Sequence, residues 1–209
     1  MKKNNKVLFL TLFAVLVGIE AVFCFTPLGS IAFNPAVVAT LAMIPILITA
    51  LLLGPAAGTA MGAIGGLFSF IIWTFMPPPT SAAMAFVFTP FYSLGEVHGN
   101  FGSLLICFVP RILVGTVAGL SYKGLSKIMP KMDIVSMVIA SIAGSLVNTF
   151  GVVLGMWLFF GTEISSLMGT AIFTVLSGIV LTNGIPEAIV SAVLVPAACK
   201  PLKIIIKEL

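Results

Sequence analysis

Arg111 is the single arginine of the chain, and it stands roughly ten residues inside an apolar run long enough to cross a bilayer. Ionisable groups at that depth are rare and face a cavity or a partner. Pro110 precedes it and has no N–H to offer the carbonyl of Ile106, so the helix is opened at that turn. Glu187 lies in the last apolar run, after Thr182-Asn183-Gly184-Ile185-Pro186, where a second proline frees another carbonyl. Asn148 sits in the outer part of the fifth run. At about 1.5 Å of rise per residue, Asn148, Asn183 and Glu187 fall in the outer half of the membrane, with Arg111 somewhat deeper.

Two compatible readings follow. In one, Arg111 and Glu187 form a structural pair that cancels two charges in low dielectric, and the asparagines bridge helices. In the other, Arg111 floors an outward-opening cavity whose walls include Asn148, Asn183 and Glu187. Trp73 and Trp157 fall near the outer ends of their runs, where interfacial anchoring is the default and stacking on a ligand the alternative. Tyr92 and Asn100, in a long outer loop, complete the candidate solute contacts.

Other chemistry is missing from the sequence. His98, the lone histidine, has no second ligand in metal-binding spacing, and Cys24, Cys107 and Cys199 are scattered through apolar stretches. Neither a metal nor a cofactor is expected. There is no HExxH, no GxSxG with a usable histidine and no paired carboxylates within a span, so an enzyme is not expected. A GxxxxGK[ST] loop is also missing, so this chain does not hydrolyse ATP by that route.

The elements that carry these residues are set by composition. Of 209 residues 60% are hydrophobic and 8% charged, against roughly 25% charged in soluble domains. Polar side chains are too few to cover a globule in water, whereas lipid is a suitable solvent. The fold class is therefore all-α, a polytopic membrane protein with six transmembrane helices in a single domain over residues 1–209. About 20 apolar residues span the hydrocarbon, which places the helices at about 7–25, 34–53, 56–76, 101–122, 133–160 and 168–198. The first run is too long for a signal peptide and has no clear cleavage site, so it is expected to remain as a span.

All nine lysines flank the first, fourth, fifth and sixth runs. A cytoplasmic start puts every one of them inside, while the outer loops (26–33, 77–100 and 161–167) carry Glu96, His98 and Glu163 but no Lys or Arg. Both termini are thus expected in the cytoplasm. The charge of +4 is a topology signal with lipid as neighbour, and no nucleic-acid partner is expected. Loop 77–100 opens on Pro77-Pro78-Pro79 and is long enough to be functional, with a short re-entrant or capping segment expected around 82–91.

Gly54, Gly58, Gly62 and Gly66 form a ladder through the third run, echoed by Ala14/Gly18, Gly115/Gly119 and Gly151/Gly155. Such ladders let helices approach in lipid, where the hydrophobic effect does not drive them together. Packing within the chain is the natural reading of the long ladder, and docking on a partner is an alternative for Ala14/Gly18.

Two blocks then carry a resemblance. One runs from Gly29-Ser30-Ile31 through Ile44-Pro45-Ile46 and Leu51-Leu52-Leu53-Gly54-Pro55-Ala56-Ala57-Gly58 to Gly62, Gly66 and Phe68-Ser69. The other is Gly99-Asn100-Phe101-Gly102-Ser103-Leu104-Leu105 followed by Val109-Pro110-Arg111-Ile112-Leu113-Val114-Gly115. Together they resemble the substrate-binding S components of energy-coupling factor (ECF) vitamin transporters, and the resemblance covers essentially the whole chain. It implies a multi-pass protein of a bacterial cell membrane that binds a vitamin from outside. It implies too a transmembrane coupling subunit and two ATPase subunits as partners. The family docks through an Ala-xxx-Ala motif in the first span, for which Ala14-xxx-Gly18 is the nearest match here. The Val-Pro-Arg-Ile-Leu block is most similar to the pantothenate-type members, with riboflavin and folate types as alternatives. A stand-alone secondary transporter is the competing class, but it usually has repeated halves, and residues 1–100 and 101–209 show no convincing repeat.

Overall fold

The structure, a computed structural model, describes residues 2–34, 37–78 and 81–208. Helix α1 (Lys2–Phe25) is followed by a hairpin of β1 (Ser30–Asn34) and β2 (Val37–Thr40), then by α2 (Met43–Leu53) and α3 (Pro55–Phe75). The segment after α3 holds a short 3-10 helix (Ala82–Val87) and a second hairpin, β3 (Ser93–Leu94) and β4 (Val97–His98). Helices α4 (Phe101–Ile128) and α5 (Asp133–Met168) come next, then α6 (Ile172–Ile179), a π turn (Val180–Gly184) and α7 (Ile185–Glu208). Pro79 and Thr80, in the proline-led stretch of the outer loop, lie outside the described residues.

The all-α membrane class holds, with five helical stretches apolar and long enough to cross a bilayer among the described residues. The second expected span, 34–53, is different. Its helix starts only at Met43 and has 11 residues, about 16 Å of rise, half of what a crossing needs. The residues before it pair as β1–β2, with Ser30 opposite Thr40 and Asn34 opposite Val37. A proline at 35 and the β-branched Val37, Val38 and Thr40 disfavour helix there. The fifth expected span, 133–160, continues to Met168 across a kink at Phe160, whose φ is −140°.

Gly54 turns α2 into α3 with φ +97°, a conformation that favours glycine, and Pro55 occupies the first helical position. The α3 ladder is spent inside the chain. A Cβ at Gly58 would lie 2.8 Å from the Gly115 carbonyl, and one at Gly66 would lie 2.9 Å from Phe108 Cδ1. At Gly62 it would strike the Arg111 carbonyl. Helices α3 and α4 therefore touch backbone to backbone, which sets the position of Arg111.

Two apolar clusters fill the bundle. Leu47, Met61, Val114, Met137 and Val195 form one, while Phe86, Ile106, Phe160, Ile164 and Leu176 form the other, under the 3-10 helix. At the end carrying the α4–α5 turn, Lys203 Nζ pairs with Asp133 Oδ1 at 2.8 Å and lies over the Tyr122 ring, tying together α4, α5 and α7.

Candidate solute-binding cavity

Because α2 is only half a span long, the bundle has a gap beyond its N-terminus, bordered by Thr40, Ala42, Met43 and Ile46. The gap is a cavity of about 570 Å³, in the range of about 300–1,000 Å³ that suits small organic ligands. Its other walls come from the C-terminal halves of α1 and α3, the middle of α5, the N-terminal half of α4 and the π turn with the start of α7. Antiparallel packing brings all of these to one end of the bundle, and Ser81, Met84 and Phe88 of the 77–100 segment border the same space.

Arg111 is on this wall, held in two ways. Its Nη1 donates to the Ile106 carbonyl at 2.9 Å, the acceptor that Pro110 leaves without its helical partner. Its guanidinium carbon lies 5.4 Å from the centre of the Phe88 ring, close enough for a cation–π contact. Phe88 in turn stacks on Trp73, with ring centres 4.6 Å apart and planes 22° apart. One N–H of five is thereby fixed to the backbone, and among the described residues the rest of the fork has no hydrogen-bond partner.

Glu187 is buried and turned to the hairpin. Its Oε1 accepts from the Thr40 backbone N–H at 3.1 Å and from the Thr40 hydroxyl. The expected Arg111–Glu187 pair is thus not made. Among the described residues the ion pair is Lys203–Asp133, because Thr40 occupies the glutamate and Ile106 the arginine. Asn183 sits in the π turn and donates to Thr182 Oγ1 at 3.3 Å. Pro186 follows this turn, where the Ile185 N–H reaches back five residues to Val180. A proline that cannot bond its own i−4 carbonyl is tolerated by such a local widening. Asn148 lines the cavity, and its buried Oδ1 has no hydrogen-bond partner among the described residues.

Five sequence candidates therefore meet at one cavity: Trp73, Arg111, Asn148, Asn183 and Glu187. Two do not border it. Asn100 caps α4, its Oδ1 accepting from the Gly102 N–H at 2.7 Å and its N–H donating to Ser103 Oγ at 3.0 Å. Tyr92 packs against the Phe86–Phe160 cluster. Trp157 is exposed on the outside of α5. Glu20, Thr40 and Ser69 line the cavity as well and were not among the candidates. Glu20 carried a readable signal, a carboxylate within the first apolar run. Thr40 carried none, because its partner is 147 residues away.

The sequence model of the family described as "ECF transporter, substrate-specific component" matches residues 8–198. The chain belongs to that family. A relative, the pantothenic acid transporter PanT of Lactococcus lactis subsp. cremoris (strain MG1363), is 34% identical over 159 residues, which cover 76% of this chain and 74% of PanT. As an ECF substrate-specific component, this chain is a multi-pass membrane protein of a transporter, not a member of an enzyme family. The cavity is lined by one guanidinium, two carboxylates, two carboxamides and the hydroxyl residues Thr40, Ser69, Ser81 and Thr149, set among apolar side chains.

Proposed function

We propose that this substrate-specific component captures pantothenate from outside the cell and passes it to an ECF module of a transmembrane coupling subunit and two ATPase subunits. The observation that carries the ligand is Arg111. It offers the free part of its fork to a carboxylate inside a cavity of vitamin size, and the relationship to PanT supports the same choice. Asn148 and Asn183 provide partners for the amide of pantothenate, and Trp73 with Phe88 forms the apolar wall beside Arg111.

Orientation is supported by charge. Lys6, Lys123, Lys127, Lys131 and Lys200 are exposed at the end of the bundle opposite the cavity. By the positive-inside rule that end faces the cytoplasm, and the cavity faces out. The docking face is supported by α1, which buries only 11% of its apolar stretch in this chain. Ala14 and Gly18 are exposed on it, and a Cβ at Gly18 would meet nothing within 4 Å. A small-residue pair left unused inside the chain suits close approach by another membrane helix.

The ligand assignment is tested by titrating the purified chain with a vitamin panel. Saturable binding of pantothenate, with no comparable binding of riboflavin or folate, is expected. Tight binding of riboflavin or folate without pantothenate contradicts the assignment.

A further inference from the structure

Glu20 is 1% exposed, deep in α1, and its two oxygens are in different situations. Oε1 accepts from the Cys24 thiol at 3.6 Å, while Oε2 is buried with no hydrogen-bond partner among the described residues. A buried carboxylate oxygen without a donor is costly, so its retention on a cavity wall calls for a donor from elsewhere. Space has been kept for the carboxylate itself. A Cβ on Gly65 would come to 2.8 Å from Glu20 Oε1 and 3.0 Å from Ile46 Cδ1, so glycine at 65 lets the carboxylate lie against α3. The other carboxylate of the cavity, Glu187, already has the N–H and hydroxyl of Thr40. Both of those bonds fall on Glu187 Oε1, whereas Glu20 Oε2 is the carboxylate oxygen of the cavity wall that is fully buried and has no hydrogen-bond partner among the described residues.

Such a group offers no charge complement to an anion, whereas its bare acceptor oxygen suits a hydroxyl. Pantothenate carries its carboxylate at one end and hydroxyls at the other. We propose that Glu20 is a specificity-determining residue that accepts a hydrogen bond from a ligand hydroxyl while Arg111 holds the carboxylate, an inference that rests on the pantothenate reading. The two groups then fix which way round the ligand lies. A site built to accept a hydroxyl proton rejects the analogue that lacks it, because the acceptor is left bare.

The test compares pantothenate with an analogue in which the hydroxyls are replaced by hydrogen, using the purified full chain. Wild type is expected to prefer pantothenate by about tenfold or more, and Glu20→Ala to bind both ligands with similar affinity. Glu20→Gln fills the same space with a weaker, uncharged acceptor, and is expected to lose at least about threefold of the preference. The proposal is overturned by a wild type that binds the two equally, or by a preference that survives intact in either variant. It is overturned too if Glu20→Ala loses both ligands while wild type binds both, since Glu20 is then structural. Wild type that binds no pantothenate defeats the ligand reading itself, and this inference with it. That result is read before any variant is made.

Discussion

A guanidinium inside a membrane protein is useful to a ligand only if the protein has not already consumed it. Arg111 gives one N–H to the Ile106 carbonyl and forms no ion pair with a carboxylate among the described residues, so its place is fixed by a backbone atom. Arg111→Ala should therefore weaken pantothenate binding by more than about tenfold, measured by calorimetric titration. Arg111→Lys should restore only part of it, because an ammonium offers a point charge without the fork. Unchanged affinity in Arg111→Ala would confine the residue to a structural role. The adjacent Pro110 and Arg111 were legible in the sequence, since the missing N–H and the intramembrane charge are both local facts. Glu20 was as visible, although the vacancy on its second oxygen depends on how α1 meets α3. The Thr40–Glu187 bond was not legible, because no periodicity links positions 147 apart. Thr40→Val removes the hydroxyl donor and leaves the buried carboxylate with the backbone N–H alone. The expected cost is about 1–3 kcal/mol, read as a lower melting temperature in detergent, at about 2–4 °C per kcal/mol for a chain of this size.

The informative element is the short one. Helix length follows hydropathy in most of this chain, which is why five of the apolar runs read correctly as helices. Segment 34–53 satisfies the same hydropathy ruler, yet its first part folds as a hairpin. A window of average apolarity does not register a proline and a β-branched cluster, and the cavity exists because that helix stops short. The α3 ladder was equally readable, since Gly at every fourth position has one physical use in lipid. What the pattern could not say is which helix it faces. With α4 as the partner, Gly62→Ala drives a Cβ into the Arg111 carbonyl, and backbone cannot move aside as a side chain can. The variant should lose about 1–3 kcal/mol of stability and, by displacing Arg111, bind pantothenate more weakly. Gly18→Ala places its Cβ in open space and should leave the melting temperature of the isolated chain unchanged. Equal melting temperatures for the two variants would contradict this packing.

At the scale of the whole molecule, one end holds the cavity and the other holds the lysines and the Lys203–Asp133 contact. The buried Leu47, Met61, Val114 and Met137 cluster lies between the two ends. That arrangement is what the proposed capture by this chain requires. The lysine asymmetry was plain in the sequence, whereas the cavity is a property of the assembled bundle and appears only when the parts meet. Enlarging the exposed small pair, with Ala14→Leu and Gly18→Leu together, should leave pantothenate binding intact while abolishing co-purification with an ECF coupling subunit. Loss of binding, or undisturbed assembly, would move the docking face elsewhere. The central claim, capture by this chain and energy from another, is tested most directly in proteoliposomes with labelled pantothenate outside. The chain alone should bind the vitamin saturably without accumulating it, and accumulation should begin only when a coupling subunit and its ATPases are co-reconstituted with ATP. Accumulation by the chain alone would contradict the account and make it a secondary carrier.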